Sequence, residues 1–200
     1  IISGMSLDYF GVGEYPYKTI LKETPSESIN YNLKELGYST HAIHNHTHDF
    51  YDRNLIYTHL GFDFFTPVEY MPNVERNFID WAKDSIIPIE IMKTLRSTEG
   101  KDMVYAITVQ AHGKYPTDLA GYEYDADYTY VGEGEDPLDH NQYVYLLSEM
   151  KASSEALRAL TSELLLFEEK TVLVMFGDHL PAMDFSEDAL NEGTLLDTEY

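Results

Sequence analysis

Five of the eight histidines in this 200-residue chain (His41, His44, His46, His48 and His59) fall within nineteen residues. Imidazoles at that density can bind a metal or move a proton near neutral pH. If an extended segment runs through them, His44, His46 and His48 share one face open to a metal; an exposed polar edge is the competing reading. Arg53 follows closely and is the only Arg before Arg76. Its guanidinium, beside His and Tyr51, could hold an oxyanion through two parallel hydrogen bonds, or it could pair with Asp49 or Asp52. Further along, Gln110-Ala111-His112-Gly113 sets one imidazole on a turn, as a reactive group or as a satisfied turn histidine. Gly177-Asp178-His179 offers a hard carboxylate oxygen and a borderline imidazole nitrogen to one divalent ion such as Zn²⁺ or Mn²⁺. The bland alternative is a turn in which Asp178 caps the next segment.

Each of these clusters follows an apolar run. Ser39 to Ile43, Met103 to Val109 and Thr171 to Phe176 read as strands, the last near-continuous in the manner of a strand covered on both faces. Phe62 to Phe65 reads as a smaller one. Between them lie helical patterns. Thr24-Pro25-Ser26-Glu27 reads as a helix start, with Ile29, Leu33 and Leu36 on one face and Gly37 as the stop. A second helix runs from Phe50 to Leu60 and closes at Gly61. Asn77 to Arg96 holds helical material around Trp81, interrupted by Pro88. Asn141 to Phe167 is long and amphipathic, with Val144, Leu147, Met150, Leu157, Leu160 and Leu164 toward a core. The alternation predicts one α/β domain: a mostly parallel sheet flanked by helices on both faces. Parallel strands would deliver their carboxyl ends, and the three polar clusters, to one edge.

Composition narrows the functional classes. A hydrophobic fraction of 44% with 17 Tyr and 9 Phe excludes a disordered chain. Thirty-five acids against thirteen bases give a net charge of −22, which argues against a nucleic-acid partner. Most of these acids serve as a solubilising surface. They are unevenly placed, however: Leu119 to Asp139 carries seven and Pro181 to Tyr200 six, with no Lys or Arg in either stretch. There is no Cys, hence no disulfide or thiolate metal site. No apolar run approaches the roughly 18–20 residues of a spanning helix, and the start lacks the pattern of a secretory leader. The abrupt Ile1-Ile2 beginning, without Met, leads us to expect a piece of something longer.

Taken in order, three stretches resemble the extracellular catalytic domain of the lipoteichoic acid synthase family, phosphoglycerol transferases of the sulfatase and alkaline phosphatase superfamily. They are Leu36-Gly37-Tyr38-Ser39-Thr40-His41-Ala42-Ile43-His44-Asn45 leading through Phe50-Tyr51-Asp52-Arg53-Asn54 to Leu60-Gly61-Phe62-Asp63; Thr108-Val109-Gln110-Ala111-His112-Gly113-Lys114-Tyr115-Pro116; and Phe176-Gly177-Asp178-His179-Leu180-Pro181. Gly4-Met5 to Tyr15-Pro16-Tyr17 also looks like the loop that follows the family's nucleophile. The resemblance implies an alkaline phosphatase/sulfatase-like fold, with Asp178 and His179 as metal ligands. It places His44, Tyr51, Arg53 and His112 in the substrate pocket, with His112 also assisting catalysis. Tyr51 stands where the family has Trp, and the family's His-Gly-Asn becomes His44-Asn45-His46 here.

The same resemblance implies a two-step reaction. A Thr nucleophile, upstream of Ile1, attacks a phosphatidylglycerol-type headgroup; a glycerophosphate or glycolipid hydroxyl then displaces it. A divalent metal is implied, Mn²⁺ first, with Mg²⁺, Zn²⁺ and Ca²⁺ as alternatives. Residues 1–200 would then be part of a catalytic domain, missing the nucleophile segment and a C-terminal remainder, on the outer face of a bacterial membrane and anchored by helices elsewhere. Such a piece alone would be inactive. Two other readings stay open: a sulfatase or another phosphoryl transferase of the superfamily, and a non-catalytic acidic extracellular binding module.

Overall fold

The computed structural model describes residues 2–11, 14–124, 137–179, 181 and 183. Much of the acidic, Tyr-rich stretch 119–139 and nearly all of the acidic run after Pro181 lie outside them.

Three parallel strands form the sheet, in the order β2-β1-β3: β1 (Tyr38–His44), β2 (Phe64–Pro67) and β3 (Lys101–Ile107). Five α-helices accompany them: α1 (Ile20–Glu23), α2 (Ile29–Glu35), α3 (Arg53–His59), α4 (Ile86–Leu95) and α5 (Pro137–Leu166). Period-two alternation sends neighbouring strand residues into two different cores. Ile43, Val104 and Ala106 pack with Ile87, Ile91 and Met92 of α4 and Leu160 of α5. Ala42, Met103, Tyr105 and Ile107 pack with Leu21 of α1 and Ile56 and Tyr57 of α3. Helices therefore cover both faces, as the sequence pattern required.

Four local expectations are corrected. The helix expected to start at Thr24 starts later, because Ser28 is the cap: its Oγ accepts from the Asn30 N–H. Its buried side chain is Asn30, which donates to the Leu60 carbonyl at 2.9 Å, whereas Ile29 and Leu36 are exposed. That carbonyl also accepts from Ser28 Oγ at 2.6 Å, so polar anchoring, not an apolar stripe, docks α2. Residues around Trp81 are not helical, and Pro88 does not interrupt a helix. It is the third residue of α4, where the backbone N–H has no intrahelical partner to lose. On α5, Leu147 and Met150 are exposed while Tyr145 and Glu149 are buried.

The fourth correction concerns Thr171 to Phe176, which joins no strand of the sheet. Its apolar side chains are exposed, up to 89% at Val172. An apolar run becomes a strand only when a partner takes its backbone groups and its faces are covered. Among the described residues nothing provides either.

Ile43 lies at the centre of one core, 1% exposed, so Ile43→Ala is expected to lower the unfolding free energy by about 2–5 kcal/mol. Ile29→Ala should change it by under about 0.5 kcal/mol, since that side chain is exposed. Urea titration of both variants checks the assignment of faces; a large loss at Ile29 would contradict it.

Candidate functional site

β1 ends at His44, so the histidines after it do not continue on one strand face. The expected array divides. His41 pairs with Asp102 of β3 at 2.9 Å and stacks on Phe64. His59 Nδ1 bonds the Leu21 carbonyl at 2.7 Å, which makes it a link between α3 and α1. His48 turns outward to Glu69 at 2.9 Å. Two histidines remain for the site, His44 and His46.

The chain then turns sharply. Tyr51 and Asp52 both take positive φ (59° and 54°), which swings the backbone into α3 and delivers Arg53 as its first residue. Arg53 is buried. Its NH1 donates to His46 Nδ1 and to the Thr47 carbonyl, both at 3.0 Å, and its guanidinium lies 4.9 Å from the Phe50 ring centroid. Among the described residues it makes no ion pair; Asp52 binds Lys22 instead, at 2.5 Å. Two of the five guanidinium N–H donors are used in this way, and the fork retains others for an anion. Because Arg can only donate, His46 Nδ1 must be an acceptor, so neutral His46 carries its proton on Nε2.

The electrostatics keep these imidazoles neutral. Burial, then the Arg53 charge and His46, push the His44 pKa down to about 3. Burial and Arg53 lower that of His46 in the same order. His44 Nδ1 is buried without a hydrogen-bond partner.

From His46 a line of rings crosses to the turn after β3 and on to His179. His46 lies 5.2 Å from Trp81, Trp81 lies 6.1 Å from His112, and His112 lies 5.3 Å from His179, measured between centroids. His112 Nδ1 donates to the Gly113 carbonyl at 2.6 Å, which leaves Nε2 as the acceptor of the neutral ring. Asp178 Oδ1 stands 3.8 Å from His179 Nε2. Two ligand atoms around one divalent ion, with bonds of about 2.1 Å, are separated by comparable distances, so this oxygen–nitrogen pair fits a shared metal. The one set of three potential ligands close together among the described residues is elsewhere: His48, Asp49 and Glu69, all exposed.

The ends of β1 and β3, the start of α3 and the segment after Phe176 thus bring together His44, His46, Arg53, His112, Asp178 and His179. Tyr51 stands apart at the rim, half-exposed, against Phe50 (4.3 Å) and with Lys18 over its ring. One contributor had no sequence signal: Trp81 joins the halves from a loop. His46, expected on a metal-binding face, instead accepts from Arg53.

The chain matches the sulfatase family over residues 1–198 and belongs to it. A curated relative, the putative cyclic beta-1,2-glucan modification protein of Rhizobium meliloti (strain 1021), is 28% identical over 184 residues, 92% of this chain and 28% of that protein. Among solved structures, the Streptococcus pyogenes phosphoglycerol transferase GacH, in complex with sn-glycerol-1-phosphate, superposes with a TM-score of 0.72 at 19% identity, over 96% of this chain and 49% of that one. The lipoteichoic acid synthase LtaP of Listeria monocytogenes gives 0.57 at 20% identity, over 75% and 36%. These similarities establish the alkaline phosphatase/sulfatase-like fold. The chain spans about a quarter of the curated relative and half or less of these two structures.

His44 also sets a pH dependence. Its folded pKa lies below the ordinary histidine value, so below about pH 6.5 the unfolded chain binds a proton that the folded chain refuses. Stability is full above that pH and falls as pH drops toward about 3, by at most about 1.4 kcal/mol per pH unit. His44→Gln should flatten the fall between about pH 6.5 and pH 5, where few carboxylates titrate. Urea midpoints at the two pH values test this; parallel curves for both proteins would refute it.

Proposed function

We propose that these residues form the substrate-binding side of a phosphoglycerol transferase that uses a phosphatidylglycerol-type headgroup. The observation that carries the reading is the continuous line of contacts from Arg53 through His46 and Trp81 to His112 and His179, in a chain of the sulfatase family. Arg53 holds a phosphoryl oxygen with its free N–H donors, where burial strengthens the contact. Neutral His44 and His46 suit an anionic ester that Arg53 already neutralises. The nucleophile, a Thr, lies outside these residues. It forms the new bond to phosphorus as the bond to the diacylglycerol oxygen breaks, and its hydroxyl proton ends on that departing oxygen.

In the second step an acceptor hydroxyl bonds to phosphorus, the Thr–phosphorus bond breaks, and the hydroxyl proton passes to His112 Nε2. Hydrogen bonding of Nδ1 to Gly113 holds that tautomer ready. Asp178 and His179 would hold the divalent ion, Mn²⁺ or one of Mg²⁺, Zn²⁺ and Ca²⁺. When bound, it supplies positive charge that lowers the nucleophile's pKa and offsets charge on the phosphoryl oxygens. The acceptor is a glycerophosphate, a glycolipid or another sugar hydroxyl, the last supported by a relative named for glucan modification. The site works at the outer face of a membrane; among the described residues no helix is long and apolar enough to cross one.

Release of diacylglycerol from a fluorescent phosphatidylglycerol by the full-length protein tests this reading. Arg53→Ala is expected to lower turnover on the order of 10²–10³-fold. Hydrolysis of sulfate esters with no release of diacylglycerol would overturn the reading in favour of a sulfatase. Residues 1–200 alone should show no transfer, for want of the nucleophile.

Asp178 and His179 are two ligands where catalytic sites use three or more. Mn²⁺ titration of residues 1–200 by calorimetry should therefore find no submicromolar site, despite the charge of −22, because salt screens distant acids. Submicromolar binding abolished by Asp178→Ala would show a complete site.

A further inference from the structure

Beneath the ring line lies a buried polar cluster with no counterpart in the reaction scheme. Asp84, Asn45, Gln110 and Glu149 are each under 5% exposed. Asp84 Oδ1 accepts from Asn45 Nδ2 at 2.9 Å and from the Gln110 backbone N–H at 3.3 Å. Its Oδ2 accepts from Ser153 Oγ of α5 at 2.6 Å, and its own N–H donates to Gln110 Oε1 at 2.6 Å. Asn45 Nδ2 also reaches the Ala82 carbonyl at 3.0 Å. Gln110 Nε2 donates to Glu149 Oε2 at 2.8 Å; Asn77 Nδ2 and Tyr122 OH complete that carboxylate.

The sequence positions of these groups give the cluster its meaning. Asn45 lies between His44 and His46. Ala82 follows Trp81. Gln110 stands two residues before His112. One carboxylate therefore fixes the three backbone segments whose rings line the site, and α5 fixes the carboxylate.

We infer that Asp84 and Gln110 are positioning residues that set the spacing of His46, Trp81 and His112, and through it the orientation of the phosphoryl group. For its effect on turnover this rests on the proposed transfer reaction; for the ring geometry it does not. A buried carboxylate held by neutral donors has few substitutes, since removing it orphans one N–H of Asn45 and the Gln110 backbone N–H together. The segments would then relax independently. A displacement of about 1 Å in a reacting group costs on the order of 10²-fold in rate.

The test uses the full-length protein with 5-fluorotryptophan, the Trp81 resonance being assigned through Trp81→Phe. Asp84→Ala is expected to shift the Trp81 ¹⁹F signal and to lower kcat on the order of 100-fold with KM for the lipid donor little changed. Asp84→Asn keeps an oxygen toward Asn45 and Gln110, and should restore the signal and most of the turnover. Leu160→Ala, a core truncation in α5 distant from the cluster's bonds, serves as the stability control and should leave both near wild type. Should Asp84→Ala fail to fold, Gln110→Ala is read in the same way, because it removes two of the bridging bonds and leaves the Asp84 carboxylate in place. An Asp84→Ala (or Gln110→Ala) protein with the ¹⁹F signal and kcat of the Leu160→Ala control overturns the inference. If the wild-type protein transfers no phosphoglycerol, the reaction reading fails by itself, and the ¹⁹F comparison alone decides the positioning role.

Discussion

Two carboxylates are buried at the junction of sheet and α5, and their hydrogen-bond partners are neutral donors: an amide, a hydroxyl and a backbone N–H for Asp84; two amides and a phenol for Glu149. An ionised group in such a place is tolerable only when several donors aim at it together. The constraint is geometric, since no single partner suffices. It forces the end of β1, the loop before α4, the end of β3 and α5 into one arrangement. The apolar cores pack the layers of the sheet, but apolar contacts are non-directional and leave loops free to slide. The directional bonds above the core are what hold the strand ends.

Arg53 is governed by a related constraint. Its charge is buried, and it is stabilised by His46, by the Thr47 carbonyl and by the face of Phe50, not by a carboxylate. A carboxylate partner would have neutralised it. Lys22 takes up Asp52 instead, which leaves the guanidinium's charge available to an anion entering from outside. Burial, with the same charge, keeps His44 and His46 unprotonated, so Arg53 is a cation beside two neutral imidazoles.

How much of this could be read from sequence depended on range. The existence of β1, β3 and α5 and the Gly37 and Gly61 stops are local signals, and they were legible, although β3 ends at Ile107 and not at the expected Val109. The His112–His179 contact was expected from three parallel strands ending on one edge, but the segment before Asp178-His179 is not a strand, so that reasoning does not account for it. Long-range polar pairing was not legible: Ser153 meets Asp84 across 69 positions and Asn77 meets Glu149 across 72, and such bonds leave no periodicity. Trp81 was hidden for the same reason. The burial of Asn30 and the exposure of Ile29 reversed the expected face of α2, because carbonyl acceptors at Leu60 outweighed a short apolar pattern. At Thr171 to Phe176, apolar composition gave the demand for burial correctly but could not supply the neighbours that meet it.

That exposed run gives a preparation of residues 1–200 a colloidal character of its own. Exposed apolar side chains favour association with a second copy. The charge of −22 opposes such encounters at low ionic strength, where like-charged molecules repel over tens of ångströms. At about 1 M salt the repulsion shrinks to roughly 3 Å, while sulfate and similar ions strengthen apolar association. Solubility would then be lost by salting-out far sooner than the acidic composition leads one to assume, with Val172, Val174 and Met175 as the adhesive surface.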